Sequence, residues 1–119
     1  MWERICWAVL ALIHLPPFAA LVRPALIEQL YGIHPDDPNF PLILHRAALF
    51  GVVAIACLWA AVDSGPRKLT VVVTALSMIS FLVIFFLYGQ PEKLQNIAIA
   101  DAVGIPFLAF VAWKTFAVD

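Results

Sequence analysis

Charged side chains are scarce in this chain. Asp, Glu, Lys and Arg make up 13% of it, about half of the ~25% typical of soluble domains. That is too few to coat a water-facing surface, and a net charge of −1 leaves no basic face for nucleic acid. Cysteine is nearly absent as well. Cys6 and Cys57 stand alone with no Cys-x-x-Cys between them, which argues against a disulfide-exchange membrane enzyme and leaves two inert buried thiols as the plain reading. No small-x-small cleavage site appears near Phe18, Ala19 and Ala20, so the first apolar run, although preceded by Arg4, reads as a retained helix rather than a signal peptide.

What the chain has instead is apolar length. Hydrophobic residues form 64% of it, and the mean hydropathy is +0.97. Four runs, about residues 5–22, 40–62, 68–88 and 94–116, each approach or exceed the ~20 residues that cross a ~30 Å hydrocarbon core. They predict an all-α integral membrane protein: one four-helix, up-down transmembrane domain over residues 1–119. Pro24 and Gly32 bracket a further short helix near residues 24–31. Its Ala25, Leu26, Ile27 and Leu30 against Glu28 and Gln29 predict that it lies on the membrane surface.

Polar residues inside the runs mark the candidate site, because a polar group within a membrane needs a partner, a cavity or a proton. The first helix carries His14 just before Pro16 and Pro17, which remove the backbone donors for the carbonyls of Leu12 and Ile13. His14 is either a neutral histidine bonded to a local carbonyl or a proton-handling or ligand-contacting group. The second run carries His45 and Arg46 near its start, then Ala47 and Gly51 at the spacing that lets two membrane helices approach closely. The third has a mildly polar stripe of Thr70, Thr74, Ser77 and Ser80, read either as interhelical hydrogen bonds or as a water or substrate path. The fourth holds Asp101, the one carboxylate deep within a run, flanked by the small residues Ala98, Ala100 and Gly104.

With helices alternating in direction, a rise of ~1.5 Å per residue puts Arg46 roughly 8–9 Å, Asp101 roughly 10 Å and His14 roughly 13 Å from the same side. Arg46 and Asp101 are therefore expected to form a central buried pair, with His14, His45 and Tyr88 around it. If this cluster borders a ligand site, the site is expected to open between the first, second and fourth long helices. The alternative is a dry, closed bundle in which Arg46 and Asp101 neutralise each other. His34 with Asp36 and Asp37 in the turn before residue 40 gives only three exposed donors, so no metal is assigned. Asp37 or Asn39 is expected to cap the following helix instead.

The run Leu30-Tyr31-Gly32-Ile33, the Asp36–Asp37 turn, the stretch Leu44-His45-Arg46-Ala47-Ala48-Leu49-Phe50-Gly51 and the later Ser77-Met78-x-Ser80-Phe81 resemble small bacterial four-helix membrane proteins of the DoxX-like kind. The resemblance implies a fold more than an activity. Some members are regarded as accessory partners of quinone-linked or redox systems, and no catalytic residue and no cofactor is carried over. Three functions are expected in decreasing order. The first is a non-enzymatic accessory or partner-binding subunit of a membrane system, alone or as a homo-oligomer. The second is a binder of a quinone or lipid-like molecule between helices, and the third a small proton-coupled exporter. Known small multidrug exporters use a carboxylate in their first helix, and none stands there in this chain. Arg4, Arg67, Lys68 and Lys114 near one set of helix ends, against Arg23 and Lys93 near the other with Arg46 just inside, predict both termini in the cytoplasm, and the resemblance implies a bacterial inner membrane.

Overall fold

A chain with so little polar side-chain surface must satisfy its backbone groups within each segment, and helices do this locally. The computed structural model, which describes residues 2–117, is all-helical over them. It contains α1 (Trp2–Ala19), α2 (Ala25–Tyr31), α3 (Phe40–Val62), α4 (Arg67–Leu87) and α5 (Gln95–Ala117), with a 3₁₀ turn at Glu92–Leu94. The side chain of Leu30, assigned above to the apolar face of the short helix, and that of Lys93, counted among the end charges, lie outside the described residues.

Three of these helices, α3, α4 and α5, are long and apolar enough to cross a membrane. The expected fourth, α1, falls short of that measure of length and composition. It starts three residues earlier than the apolar run and so takes in Glu3 and Arg4, and it ends at Ala19 rather than Val22. Its last turn tightens into i→i+3 bonds, from Leu21 N–H to the Phe18 carbonyl at 3.0 Å and from Val22 N–H to the Ala19 carbonyl at 3.1 Å. Helical backbone nevertheless continues through Pro16 and Pro17.

The long helices pack with α1 against α3 and α5, and with α4 against α5 and, less extensively, α3. Arg67 at the start of α4 donates to Glu3 at the start of α1 across 3.2 Å and to the Ala60 carbonyl at the end of α3 across 2.8 Å, so these three ends lie together. Close approach depends on the glycines. A Cβ on Gly51 would fall within the Phe18 ring, and one on Gly104 would come 2.6 Å from Met78 Cε and 2.9 Å from Ile13 Cδ1.

The buried residues form two apolar clusters. One, around Trp7, Leu10, Cys57, Met78 and Val111, fills the half of the molecule where α1 and α4 begin. The other, around Ala20, Ile27, Tyr31, Ala47, Phe85 and Ile97, fills the opposite half. α2 belongs to this second cluster, its apolar face turned to the bundle while Glu28 and Gln29 stay exposed. Ile27 and Tyr31, one turn apart on the same face, are both buried, and the helix closes that end of the bundle like a stopper. Gly32 ends it in the left-handed conformation at φ 67°, its N–H bonded to the Glu28 carbonyl at 2.8 Å.

The turn before α3 also differs from expectation. Asn39 occupies the cap position but makes no side-chain cap bond, and Asp37 Oδ1 instead accepts from the Asn39 N–H at 2.8 Å, fixing the turn that leads into the helix.

Candidate functional site

The polar groups sit where the two apolar clusters meet. Along α1, His14 lies between Ala11 of the first cluster and Ala20 of the second. Along α5, Asp101 lies between Ala98 and Leu108, and along α3, Phe50 lies between Ala47 and Val53. The first cluster also takes in Thr74, bonded to Cys57 Sγ, and the Trp7 indole N–H, buried with no partner among the described residues.

His14 is buried, and its Nδ1 lies 2.8 Å from the Leu10 carbonyl. A carbonyl oxygen only accepts, so Nδ1 carries the proton, and in the neutral ring Nε2 is left with a lone pair. That nitrogen is buried and has no hydrogen-bond partner among the described residues. The His14 ring is tilted against Phe50 at a centroid distance of 5.9 Å.

Arg46 lies beyond the same phenylalanine. Its guanidinium carbon stands 5.2 Å from the Phe50 ring centre and 4.8 Å from that of Phe81, so aromatic faces from α3 and α4 flank the cation. Arg46 Nε is buried without a hydrogen-bond partner. Its charge and that of Asp101 act on each other, yet among the described residues no ion pair closes between them. This corrects the expected direct pair: the flanking rings take up part of the role assigned to the carboxylate.

Tyr31 of α2 is the member of this group that helix spacing did not bring forward. Burial pushes its phenol above the ordinary tyrosine range. The Arg46 guanidinium opposes the shift, and the Asp101 carboxylate adds to it. A hydrogen bond donated by the Arg46 guanidinium to the Tyr31 phenol oxygen also opposes the shift. The shared charge effects place Tyr31, Arg46 and Asp101 in one electrostatic neighbourhood. The signal that could have found Tyr31 is its spacing of four from Ile27, which aims both at the bundle.

Two of the expected residues are not part of a buried cluster. His45 is exposed on α3, one residue and therefore about 100° around the helix from Arg46. Tyr88 is 76% exposed at the end of α4. There the backbone turns through left-handed Gly89 and Gln90, at φ 82° and 55°.

A cleft of about 550 Å³ opens between α3 and α4, which touch less than α1 and α3, α1 and α5, or α4 and α5 do. Tyr88 and Arg46 line it, together with Ser77, Ser80, Phe50 and Phe81, and aliphatic side chains continue it downward. This cleft is not the opening expected among α1, α3 and α5. The cavity lies on the other flank of α3, and of the five expected residues only Arg46 and Tyr88 border it. The polar stripe of α4 divides accordingly. Thr70 and Thr74 are buried, bonded to the Pro66 carbonyl at 2.8 Å and to Cys57 Sγ at 3.5 Å, whereas Ser77 and Ser80 face the cleft.

Comparison with known proteins finds no match among family models, curated proteins or solved structures.

Proposed function

We propose that this chain is a non-enzymatic integral membrane protein, a four-helix up-down bundle of the DoxX-like kind, whose working part is the α3–α4 cleft. In this reading the cleft holds an amphipathic small molecule, a quinone or a lipid-like compound, entering sideways from the bilayer. The observation that carries it is the cleft itself: about 550 Å³, mostly apolar, with a cation at one level and hydroxyl groups near it. Ligand sites are commonly apolar concavities of ~300–1,000 Å³ with a few convergent polar groups. The longest dimension of the molecule, 50 Å, suits the ~40–45 Å of a bilayer with its headgroups. α1 then serves as a fourth crossing element, and the lysine and arginine bias puts both termini in the cytoplasm of a bacterial cell.

The experiment is purification in mild detergent followed by mass spectrometry of extracted small molecules. One amphipath per chain is expected, and it should be lost when Ser77→Trp fills the cleft. A stoichiometric protein partner with no retained amphipath would favour an accessory subunit instead. The exposed Leu76, Ile84 and Leu87 along α4 would then be part of its contact surface. Cysteine-accessibility mapping in a background lacking Cys6 and Cys57 tests the topology: residues 36 and 65 must appear on opposite sides of the membrane.

A further inference from the structure

We infer that the cleft selects a single-chain amphipath with a carboxylate head, a long-chain fatty acid, and that Arg46 is the residue that binds the head. This inference rests on the ligand-holding reading above and narrows it to one chemical class.

The argument begins with what Arg46 lacks. A guanidinium carries five N–H donors in a planar fork and stays charged. Here its Nε is buried and bonded to nothing among the described residues, the flanking Phe50 and Phe81 rings supply attraction but no strong acceptor, and the Tyr31 phenol oxygen takes only part of the remaining donor fork. Asp101 contributes charge from the α5 side without closing an ion pair. A cation in such surroundings favours an anion over a neutral carbonyl, because charge-assisted hydrogen bonds to a matching two-oxygen head are about twice as strong as neutral ones.

The position of Arg46 decides between kinds of anion. It lies about 9 Å below the start of α3 at ~1.5 Å per residue, under the mouth bordered by Tyr88 and Pro91. A carboxylate ends its chain and can reach that depth. A phosphodiester is held between two substituents, glycerol on one side and a further group on the other, and is bulkier to bring down to that level. Below the head, Leu49, Val52, Val73 and Leu76 form aliphatic walls. From Val73 to Tyr88 the α4 wall runs for roughly 22 Å at ~1.5 Å per residue, a length suited to an extended acyl chain.

The test is equilibrium binding of radiolabelled palmitate to the full chain in nanodiscs of neutral phosphatidylcholine, with hexadecanol and lysophosphatidate as comparison ligands. Saturable binding of one palmitate per chain is expected, with hexadecanol at least about tenfold weaker, since hydrogen bonds to charged groups contribute about 1.5–3 kcal/mol. Arg46→Gln should reduce palmitate binding to the level of hexadecanol, and Ser77→Trp should abolish both. The wild-type comparison of palmitate with hexadecanol needs no change at Arg46, so a variant that folds poorly does not remove the test. Equal binding of the two ligands, both blocked by Ser77→Trp, would overturn the carboxylate inference and leave the cleft reading standing. Binding indifferent to Ser77→Trp would overturn both. Lysophosphatidate binding more tightly than palmitate would replace the carboxylate head by a phosphate and refute the inference as stated.

Discussion

α3 meets α1 on one flank and α4 on the other, and the two seams are built differently. Toward α1 it presents Ala47, Gly51 and Ala54 at spacings of four and three, all buried, and Phe18 fills the space over Gly51. Toward α4 it presents Leu49, Val52 and Val53, facing Val73 and Leu76 across the open cleft. Small side chains allow the first pair of helices to touch along their length, whereas branched side chains hold the second pair apart. Arg46 stands at the border, drawn electrostatically by Asp101 on the closed side and lining the cleft on the other. Packing in this molecule is decided by which face of one helix a small residue occupies.

The strongest way to break this arrangement is to remove the charge on the closed side. Asp101→Leu leaves Arg46 without its nearby carboxylate, and an unpaired charge in a membrane helix costs ~2.5–3.5 kcal/mol on insertion scales. Thermal unfolding in detergent should show a loss bounded by that figure, because the two charges act on each other without closing an ion pair, and it should be largely restored when Arg46→Leu is added. A double variant no better than Asp101→Leu alone would mean that the two charges do not depend on each other.

Next in size is a paired test of the two seams. Gly51→Leu forces a side chain into the Phe18 ring, and overpacking of this kind costs about 1–3 kcal/mol. Ser77→Leu points into the cleft and should change stability by less than about 0.5 kcal/mol, as substitutions outside packed regions do. Similar losses from both, by the same unfolding assay, would contradict the contrast between seams.

A smaller effect concerns the stopper. Burial raises the Tyr31 phenol above its ordinary value of 10.0, so the folded state favours the neutral form. That contribution is complete below the ordinary value and is lost as pH rises through the folded-state value. Unfolding measured across the alkaline range should therefore show stability declining above pH 10, and Tyr31→Phe should remove the Tyr31 part of the decline.

A further small effect is expected at the closed end of the looser seam, where Thr74 and Cys57 join α4 to α3. Thr74→Val should cost ~0.6 kcal/mol, the average for an interhelical hydrogen bond in a membrane protein. Denaturant titration in detergent can resolve it against Ser77→Leu.

The sequence made the helices largely legible. Residues 40–62 form α3 with the limits read from hydropathy, and α4 and α5 differ by one residue at the ends compared. α1 was misjudged because hydropathy measures fitness for lipid, while helix formation is a backbone property that Glu3 and Arg4 do not oppose. In the candidate site, depth along each helix could be counted, but rotation about each axis could not. That is why His45 was grouped with Arg46 although it points elsewhere, and why a cleft was expected on the other flank of α3. Two local signals were available: Phe50 four residues after Arg46, and Ser77 with Ser80 on the face of α4 that lines the cleft.

The pairing of Arg46 with Phe50 also bears on how the chain enters a bilayer. Helices emerge from the ribosome in order, and domains of a growing chain form from the N-terminal side first. Asp101 arrives only with the last helix, and Phe81 only with α4, so α3 must carry its arginine before either exists. Phe50 is one turn away on α3 itself and is synthesised almost together with Arg46, so the cation brings an aromatic face with it. On the membrane reading proposed above, α3 would enter a bilayer with its own local means of shielding the charge, and the later helices would take over a task already begun.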